Sequence, residues 1–405
     1  MLSTKKYILK IINLYSFMRN TFYQYVFILF LQCVTIMMVS MPVFGQDPSY
    51  QNFAQNRFLF NPSLTGSYGA QSWKLRSKMQ WNNDGGNGYK TLSLLFEETM
   101  PCSILDIGAK INYNEEGAGL YRTLELGFLS SAFLPLGKSK YSDHNVKFGV
   151  DFSWGFNSID FSRLIWSDQL DPKYGNVNPT SFINPNQGRS SWYFNPGFGL
   201  SLRSMWNKKS TKAYMTNFGA ALYRFYALED GEINQSVSVL GLKNSNPYRF
   251  SAFAEAEFVA VYFSRKYLTF RPMLLYQKQG TIQYLETGFR TGYLRNAGIG
   301  FYYHTAPDNN IGQTPWMTFS TDFMIPVGNG KKLEMSLSYS ENLGGLQNFV
   351  GPQFEIGISY HLSKSSICNM MGMEDDVPYN SEYICPIMAI TPGKRKMYEN
   401  IWYKN

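Results

Sequence analysis

Apolar and polar residues alternate along most of the chain with a period of two. Between residues 145 and 157, Val146, Phe148 and Val150 point to one side. Lys147 and Asp151, which lie between and after them, point to the other. The same alternation recurs in three further stretches, residues 192–203, 333–340 and 354–362. Successive side chains of a β-strand point to opposite faces, so this period predicts strands rather than helices.

The length of the alternating runs indicates a membrane protein. Many of them last 9–15 residues, whereas strands in soluble domains average about 5–6 residues. A strand of about 9–11 residues crosses a bilayer at a tilt. Backbone groups in lipid must all be hydrogen-bonded within the protein, so strands that cross it have to close into a barrel. The composition agrees, because only 16% of the residues are charged, against about 25% in soluble domains.

The chain contains fourteen candidate strands, an even number as expected for bacterial barrels. They span residues 74–82, 89–99, 104–113, 120–134, 145–158, 191–204, 212–226, 248–263, 267–278, 281–291, 295–305, 316–326, 331–340 and 353–362. We therefore predict an all-β fold, a 14-stranded antiparallel transmembrane β-barrel of the outer membrane over residues 74–362.

The lengths of the connections predict the orientation of this barrel. Outer-membrane barrels have short periplasmic turns and long outer loops. If the chain enters from the periplasm, the connections after strands 5, 7, 11 and 13 lie outside. These span residues 159–190, 227–247, 306–315 and 341–352, and none of the other connections is longer than any of them. Strand 14 then runs inward, so residues 363–405 are predicted to form a periplasmic tail.

Basic residues concentrate at the short turns of this assignment. They are Lys138, Lys140, Lys208, Lys209, Lys212, Arg265, Lys266, Lys331 and Lys332. A net charge of +8 alone is compatible with nucleic acid, anionic lipid or an acidic protein as partner. Because the basic residues lie at periplasmic turns, two interpretations remain: solvated turns, or a basic rim that binds an acidic periplasmic protein. We expect no nucleic-acid partner.

The first 45 residues have the features of an export signal. No Asp or Glu occurs among them, basic residues precede a mostly apolar run over 25–44, and Val43-Phe44-Gly45 fits a signal peptidase site before Gln46. The alternative is a membrane anchor, because the run approaches the roughly 20 residues needed to span a bilayer. Translation from Met18 would give a leader of ordinary length.

Charged residues of both signs are predicted to face the lumen. They are Asp106, Lys110, Glu125, Lys147, Asp151, Arg203, Glu255, Glu257, Glu334 and Glu355. Burying an unpaired charge is costly, so we expect these groups to pair across the lumen or to contact water. A mixed lumen argues against a strongly ion-selective porin.

The residues suited to catalysis are few. Ser359 and His361 lie on the same face of the last strand, with Glu334 or Glu355 as possible partners of the histidine, which makes a barrel hydrolase conceivable. Polar lining of the lumen explains the same residues without catalysis. No spacing indicates a metal or an organic cofactor, so we predict a protein that is not an enzyme.

Cys368 and Cys385 are the candidate disulfide, since they are close in sequence.

The segment before the first strand carries a recognisable pattern. Asn61-Pro62 is followed by Gly66, and then by Arg76 and by Gln80-Trp81 in the first strand. Proline fixes φ and disfavours helix at the residue before it, and glycine tolerates positive φ. In this order the motifs resemble those of PorP/SprF-type outer-membrane proteins of the type IX secretion and gliding motility system. The aromatic run 58–60 is then expected inside the barrel or at its lower rim, as part of an N-terminal segment over residues 46–73.

The resemblance implies a function and partners. It implies a non-enzymatic outer-membrane barrel of the secretion machinery, with periplasmic ring lipoproteins and a secreted surface protein as partners and outer-membrane lipid around it. A small-solute transport barrel is the first alternative, and an outer-membrane lipid hydrolase the second.

Overall fold

Fourteen long strands form a closed antiparallel barrel among the residues that the computed structural model describes. The described residues are 50–68, 71–80, 88–100, 103–117, 120–138, 141–181, 191–207, 214–225, 247–263, 266–280, 282–293, 296–305, 315–328, 331–344, 351–362 and 365–367. The predicted fold class is confirmed.

The barrel strands follow one another around the wall in chain order, and each pairs with the next. They are β1 (Gln71–Gln80), β2 (Tyr89–Thr99), β3 (Leu105–Glu116), β4 (Tyr121–Lys138), β5 (Ser142–Ser158), β8 (Ser191–Trp206), β9 (Tyr214–Tyr223), β10 (Arg249–Phe263), β11 (Lys266–Gln279), β12 (Ile282–Tyr293), β13 (Ala297–Thr305), β14 (Trp316–Gly328), β15 (Lys331–Asn342) and β16 (Gln353–His361). The barrel closes where β1 pairs with β16, with Ser72 opposite His361 and Met79 opposite Phe354.

Several strand ends differ from the prediction by a few residues, and two of them have a clear local reason. β4 continues to Lys138 because the β4–β5 pairing shifts by one residue between Pro135 and Gly137. Such a bulge accommodates a proline, which has no N–H to donate to the ladder. β9 stops at Tyr223 because Arg224 has a φ of 54°, in the left-handed region that a strand does not use.

The connection between β5 and β8 contains short elements that the alternation did not predict. These are two one-turn 3₁₀ helices, Phe161–Arg163 and Ser167–Gln169, and a small hairpin of β6 (Leu170–Asp171) and β7 (Gly175–Asn176). Asp168 accepts hydrogen bonds from the backbone N–H of Ser181 (2.6 Å) and from its hydroxyl (2.7 Å). The described part of this connection is therefore held by its own polar side chains.

The two faces of the barrel wall differ as the alternation predicts. Along β2, Leu92 and Leu94 are exposed on the outer face, while Thr91 and Ser93 are buried toward the lumen. Along β16, Ile356 and Ile358 are exposed in the same way. In the part of the chain described here, no helix is long and apolar enough to span a membrane.

Candidate functional site: a plugged polar lumen

The N-terminal segment of the described chain lies within the lumen. We call residues 50–67 the plug. It contains a one-turn α-helix (Arg57–Phe60) and a one-turn 3₁₀ helix (Pro62–Leu64). Its hydrogen bonds reach inward-facing groups of β1, β2, β4, β5, β8, β9, β10, β14, β15 and β16. Contacts so widely spread place the plug across the barrel rather than against one wall.

Aromatic side chains of the plug form its apolar centre. Phe53 is fully buried, with its ring 5.4 Å from that of Phe60 and 5.1 Å from that of Phe253 on β10. Phe58 is buried in a second cluster with Leu95 and Leu129 from the opposite part of the wall. Burial of this kind contributes about 1.5–3 kcal/mol for each large side chain. The aromatic run therefore ties the plug to both sides of the barrel.

A buried ion pair fixes the helix of the plug. Arg57 donates two hydrogen bonds to Glu255 of β10, at 3.0 and 2.7 Å. Both side chains are less than a tenth exposed. Asn217 of β9 donates to the same carboxylate at 2.8 Å. This two-pronged geometry satisfies both oxygens, as a carboxylate removed from water requires.

Asn61 joins the plug to the backbone of the wall. Its amide donates to the carbonyl oxygens of Leu200 (3.2 Å) and Ala220 (3.1 Å), on neighbouring strands. Its Oδ1 accepts from the N–H of Ser63 at 2.9 Å and so caps the 3₁₀ helix. A Cβ at Gly149 of β5 would overlap the backbone of residues 62–63. The plug can therefore approach β5 closely here because Gly149 has no side chain.

Gly66 turns the chain out of the lumen. Its φ of 68° lies in the left-handed region, where glycine carries little penalty. Its N–H donates to Glu97 at 2.9 Å, and its carbonyl accepts from Thr99 at 2.5 Å. Glu97 also pairs with Lys74 at 2.6 Å. The turn is therefore held by the first two strands.

Arg76 and Glu355 hold the other end of the plug. Arg76 donates to Asn56 (3.2 Å) and to Ser359 (2.9 Å), and so links the plug, β1 and β16. Glu355 accepts from the N–H of Gln51 (2.9 Å) and from Asn56 (2.6 Å). Gln80 ends β1 opposite Tyr89, away from these contacts, and Trp81 lies outside the described residues. The structure thus brings together Asn61, Gly66 and Arg76 around one plug, but not Gln80.

Charged side chains of the lumen pair with one another. Lys110 contacts Asp151 (2.6 Å) and Glu125 (3.0 Å). Lys147 contacts Asp106 at 3.1 Å. The prediction that these inward charges pair is confirmed. Sequence reasoning missed further pairs, among them Arg271 with Glu257 and Arg290 with Asp322. The alternation within the predicted strands already makes the side chains of Arg271, Arg290 and Asp322 face the lumen. That signal could have identified these pairs from the sequence.

The hydrolase alternative would need Ser359 to bond His361, and the two do not bond each other, although Glu334 does pair with His361. Ser359 accepts from Arg76 instead, and His361 bonds Ser72 through Nδ1 (2.8 Å) and Glu334 through Nε2 (3.0 Å). Residues two apart on a strand are separated by about 7 Å, whereas directly opposite residues are separated by about 5 Å. Ser72 lies directly opposite His361. The histidine therefore bridges the strands at the closure of the barrel, and the pair proposed for a hydrolase is not assembled.

Four of the nine predicted rim residues lie at strand ends. Lys138 ends β4, Lys266 begins β11, and Lys331 and Lys332 begin β15. The other predicted rim residues and the candidate disulfide lie outside the described residues; they are Lys140, Lys208, Lys209, Lys212, Arg265, Cys368 and Cys385. Within the described ranges, no group of three or more His, Cys, Asp and Glu side chains is arranged to hold a metal ion.

The fold and the lumen define the class of this protein. A closed antiparallel barrel with an apolar outer face and a polar interior is a transmembrane β-barrel of the outer-membrane type. The chain belongs to the PorP/SprF family of type IX secretion system membrane proteins, whose family model matches residues 43–360. The resemblance inferred from the N-terminal motifs is confirmed.

Solved barrels are similar to the chain only in outline. The outer membrane protein Omp33 of Acinetobacter baumannii is 8% identical, with a TM-score of 0.37 over 74% of this chain and 100% of that one. The monoaromatic hydrocarbon channel CymD is 12% identical, with a TM-score of 0.38 over 78% and 94%. The toluene transporter TodX of Pseudomonas putida is 9% identical, with a TM-score of 0.37 over 78% and 95%. No curated protein matches the chain.

Proposed function

We propose that this barrel serves type IX secretion as a docking component rather than as a pore or an enzyme. Its periplasmic rim binds ring lipoproteins of the secretion machine, and its outer loops bind a secreted protein held at the cell surface. Residues 1–45 act as the signal peptide that directs the chain to the outer membrane. The mature chain begins at Gln46.

The plug is the observation that carries this proposal. Arg57, Asn61 and Arg76 each contribute to bonds that hold the plug to different parts of the wall. Charged groups that an open pore would offer to a solute, such as Lys110 and Lys147, are instead paired with carboxylates of the wall. The surfaces left for partners are then the two rims.

The connections suggest which end of the barrel faces the periplasm and which faces the cell exterior. The strand ends that the long connections join, those of β5 with β8 and of β9 with β10, lie at one end of the barrel. Residues 365–367, which follow β16, lie at the other end, where Ser365 and the N–H of Ile367 donate to Glu98 of β2, at 2.6 and 2.8 Å. Since outer loops are the longer ones, we assign the second end to the periplasm. Its lysines favour an acidic periplasmic partner.

Affinity isolation tests the proposal. The tagged full-length barrel is purified from outer membranes, and the proteins that accompany it are identified by mass spectrometry. We expect Lys331→Glu/Lys332→Glu to reduce the recovery of periplasmic ring proteins and to leave the surface protein bound. Lys173→Glu, on the exposed connection between β5 and β8, is the matched charge control and should retain the ring proteins. Equal recovery with all three barrels would show that the basic rim is only solvated.

A further inference from the structure

A cavity lies between the plug and the end of the barrel that carries the long connections. Its floor is formed by Leu59 and Phe60 of the plug, and its walls come from the ends of β2, β3, β4 and β8. The centres of water-sized molecules can occupy about 60 Å³ within it. A single water needs roughly 10–15 Å³ by this measure. The cavity therefore has room for one small ring rather than for a folded chain.

Three buried polar side chains of this cavity carry atoms without partners. They are Thr91 (Oγ1), Asn114 (Oδ1) and Asn195 (Oδ1), each no more than 4% exposed. The amide of Asn195 donates to Glu125 at 2.9 Å, which leaves its oxygen turned away from that bond. A buried acceptor without a partner costs about 1–3 kcal/mol, and native structures contain few of them. These atoms indicate a ligand that supplies hydrogen-bond donors.

The four charged groups at the cavity sum to zero: Lys110, Arg249, Asp151 and Glu125. Lys110 is held between Asp151 and Glu125. Arg249 lies over the ring of Tyr223, 4.1 Å from its centroid, and donates to the carbonyl of Leu59. A phosphate or a chain terminus would therefore leave the site with a net charge. The ligand should be neutral.

The aromatic residues of the lining indicate which class of neutral ligand fits the cavity. Tyr50, Phe60 and Tyr193 present aromatic surface beside the polar side chains. Small-molecule sites combine such apolar surface with a few placed polar groups. A sugar ring has hydroxyl donors around its edge and C–H groups on its faces, so it satisfies both parts of the lining.

We propose that this cavity binds a neutral monosaccharide unit, with Thr91 and Asn114 accepting hydrogen bonds from its hydroxyls. The unit is either a free sugar or the end of a surface glycan. This site is separate from the proposed docking rims, and neither proposal depends on the other.

Ligand-observed NMR of the full-length barrel in detergent tests the site. The probes are glucose, galactose, mannose and N-acetylglucosamine, with inorganic phosphate and trialanine as the charged alternatives. We expect saturable binding of at least one sugar and of neither charged probe. Soluble glycans ending in the sugar that binds are then compared with the free sugar, which separates the two sources.

Matched variants locate the binding. Thr91→Val and Thr91→Val/Asn114→Leu keep the shape of the side chains and remove the acceptors. The double variant should bind the sugar at least about tenfold more weakly, since each hydrogen bond contributes about 1 kcal/mol. Thr65→Val removes another buried hydroxyl without a partner, outside this cavity, and should bind as wild type does.

Heat-modifiable mobility on gels checks that each variant is folded. If the double variant does not fold, the sugar affinity of Thr91→Val alone tests the proposal. No sugar binding by wild type would overturn the proposal. So would stronger binding of phosphate or trialanine, or equal affinity of Thr91→Val and Thr65→Val.

Discussion

At the scale of single residues, the lumen is organised by side chains that meet across great distances in the sequence. Arg57 and Glu255 are 198 positions apart, and both are buried. Removing one member of a buried ion pair leaves the other charge unpaired, which costs about 3–5 kcal/mol. Individual plug residues should therefore have large effects on stability.

We expect Arg57→Met to lower the free energy of unfolding by about 3 kcal/mol, because Glu255 keeps its charge and loses its main partner. Urea unfolding in detergent, followed by gel mobility, measures this. Arg57→Met/Glu255→Gln should recover part of the loss. Arg163→Met, in the exposed pair with Asp160, is the control and should change little. Equal stabilities of Arg57→Met and Arg163→Met would contradict a role for the buried pair.

At the scale of elements, aspartates hold the described part of the connection between β5 and β8, residues 159–181. The N–H of Ser181, its hydroxyl and Thr180 all donate to Asp168. The hydrogen bond from the Ser181 backbone is the main reason that the pKa of Asp168 lies below its usual range. A carboxyl with a lowered pKa stabilises the folded loop above its unfolded pKa of about 3.9, and the effect is lost as pH falls through the folded value.

Asp168→Asn should therefore lower the hydrogen-exchange protection of residues 167–181 at neutral pH. In wild type the same protection should fall only below about pH 4. Peptide-resolved hydrogen exchange, corrected for the pH dependence of intrinsic exchange, measures both. Asp171→Asn, which removes a different cap within the same loop, shows whether the effect is specific to the contact with Ser181. Unchanged protection in Asp168→Asn at pH 7 would rule out this cap as the support of the loop.

The plug is the element that separates a docking barrel from a transport barrel. Deletion of residues 50–66 removes its aromatic and charged contacts and leaves a water-filled lumen. We expect no steady single-channel conductance from wild type in planar bilayers and clear conductance from the deletion variant. Arg57→Met, which keeps the plug, serves as the intermediate control. Steady conductance of the wild-type barrel would favour the small-solute transport alternative.

At the scale of the whole molecule, the antiparallel closed barrel places alternate connections at opposite ends. One labelled position on each end therefore fixes the orientation of the molecule. Tyr174 is exposed on the connection between β5 and β8, and Lys331 begins β15 at the opposite end.

In a background without the native cysteines, Tyr174→Cys should react with a membrane-impermeant maleimide on intact cells. Lys331→Cys should react only after the outer membrane is opened, because short turns are periplasmic. Labelling of the purified barrel controls for the reactivity of each position. The reverse order of labelling would invert the assignment of the two rims and, with it, the sites proposed for the partners.

The sequence alone determined the fourteen barrel strands to within a few residues at their ends, their inward and outward faces, and the family. Side-chain direction in a strand has a period of two, so the alternation around Val146 and Lys147 fixes faces without knowledge of neighbours. The order of Asn61, Gly66 and Arg76 along the chain similarly identified the family.

Only the tertiary structure decided which groups meet. A period of two states that Ser359 and His361 share a face, but the partner of His361 depends on how β1 and β16 align when the barrel closes. In the same way, inward parity predicts that Glu255 faces the lumen, but it cannot select Arg57 as its partner. That choice depends on the path of the plug through the lumen, because a contact between residues so far apart in sequence is set by register and closure rather than by local pattern.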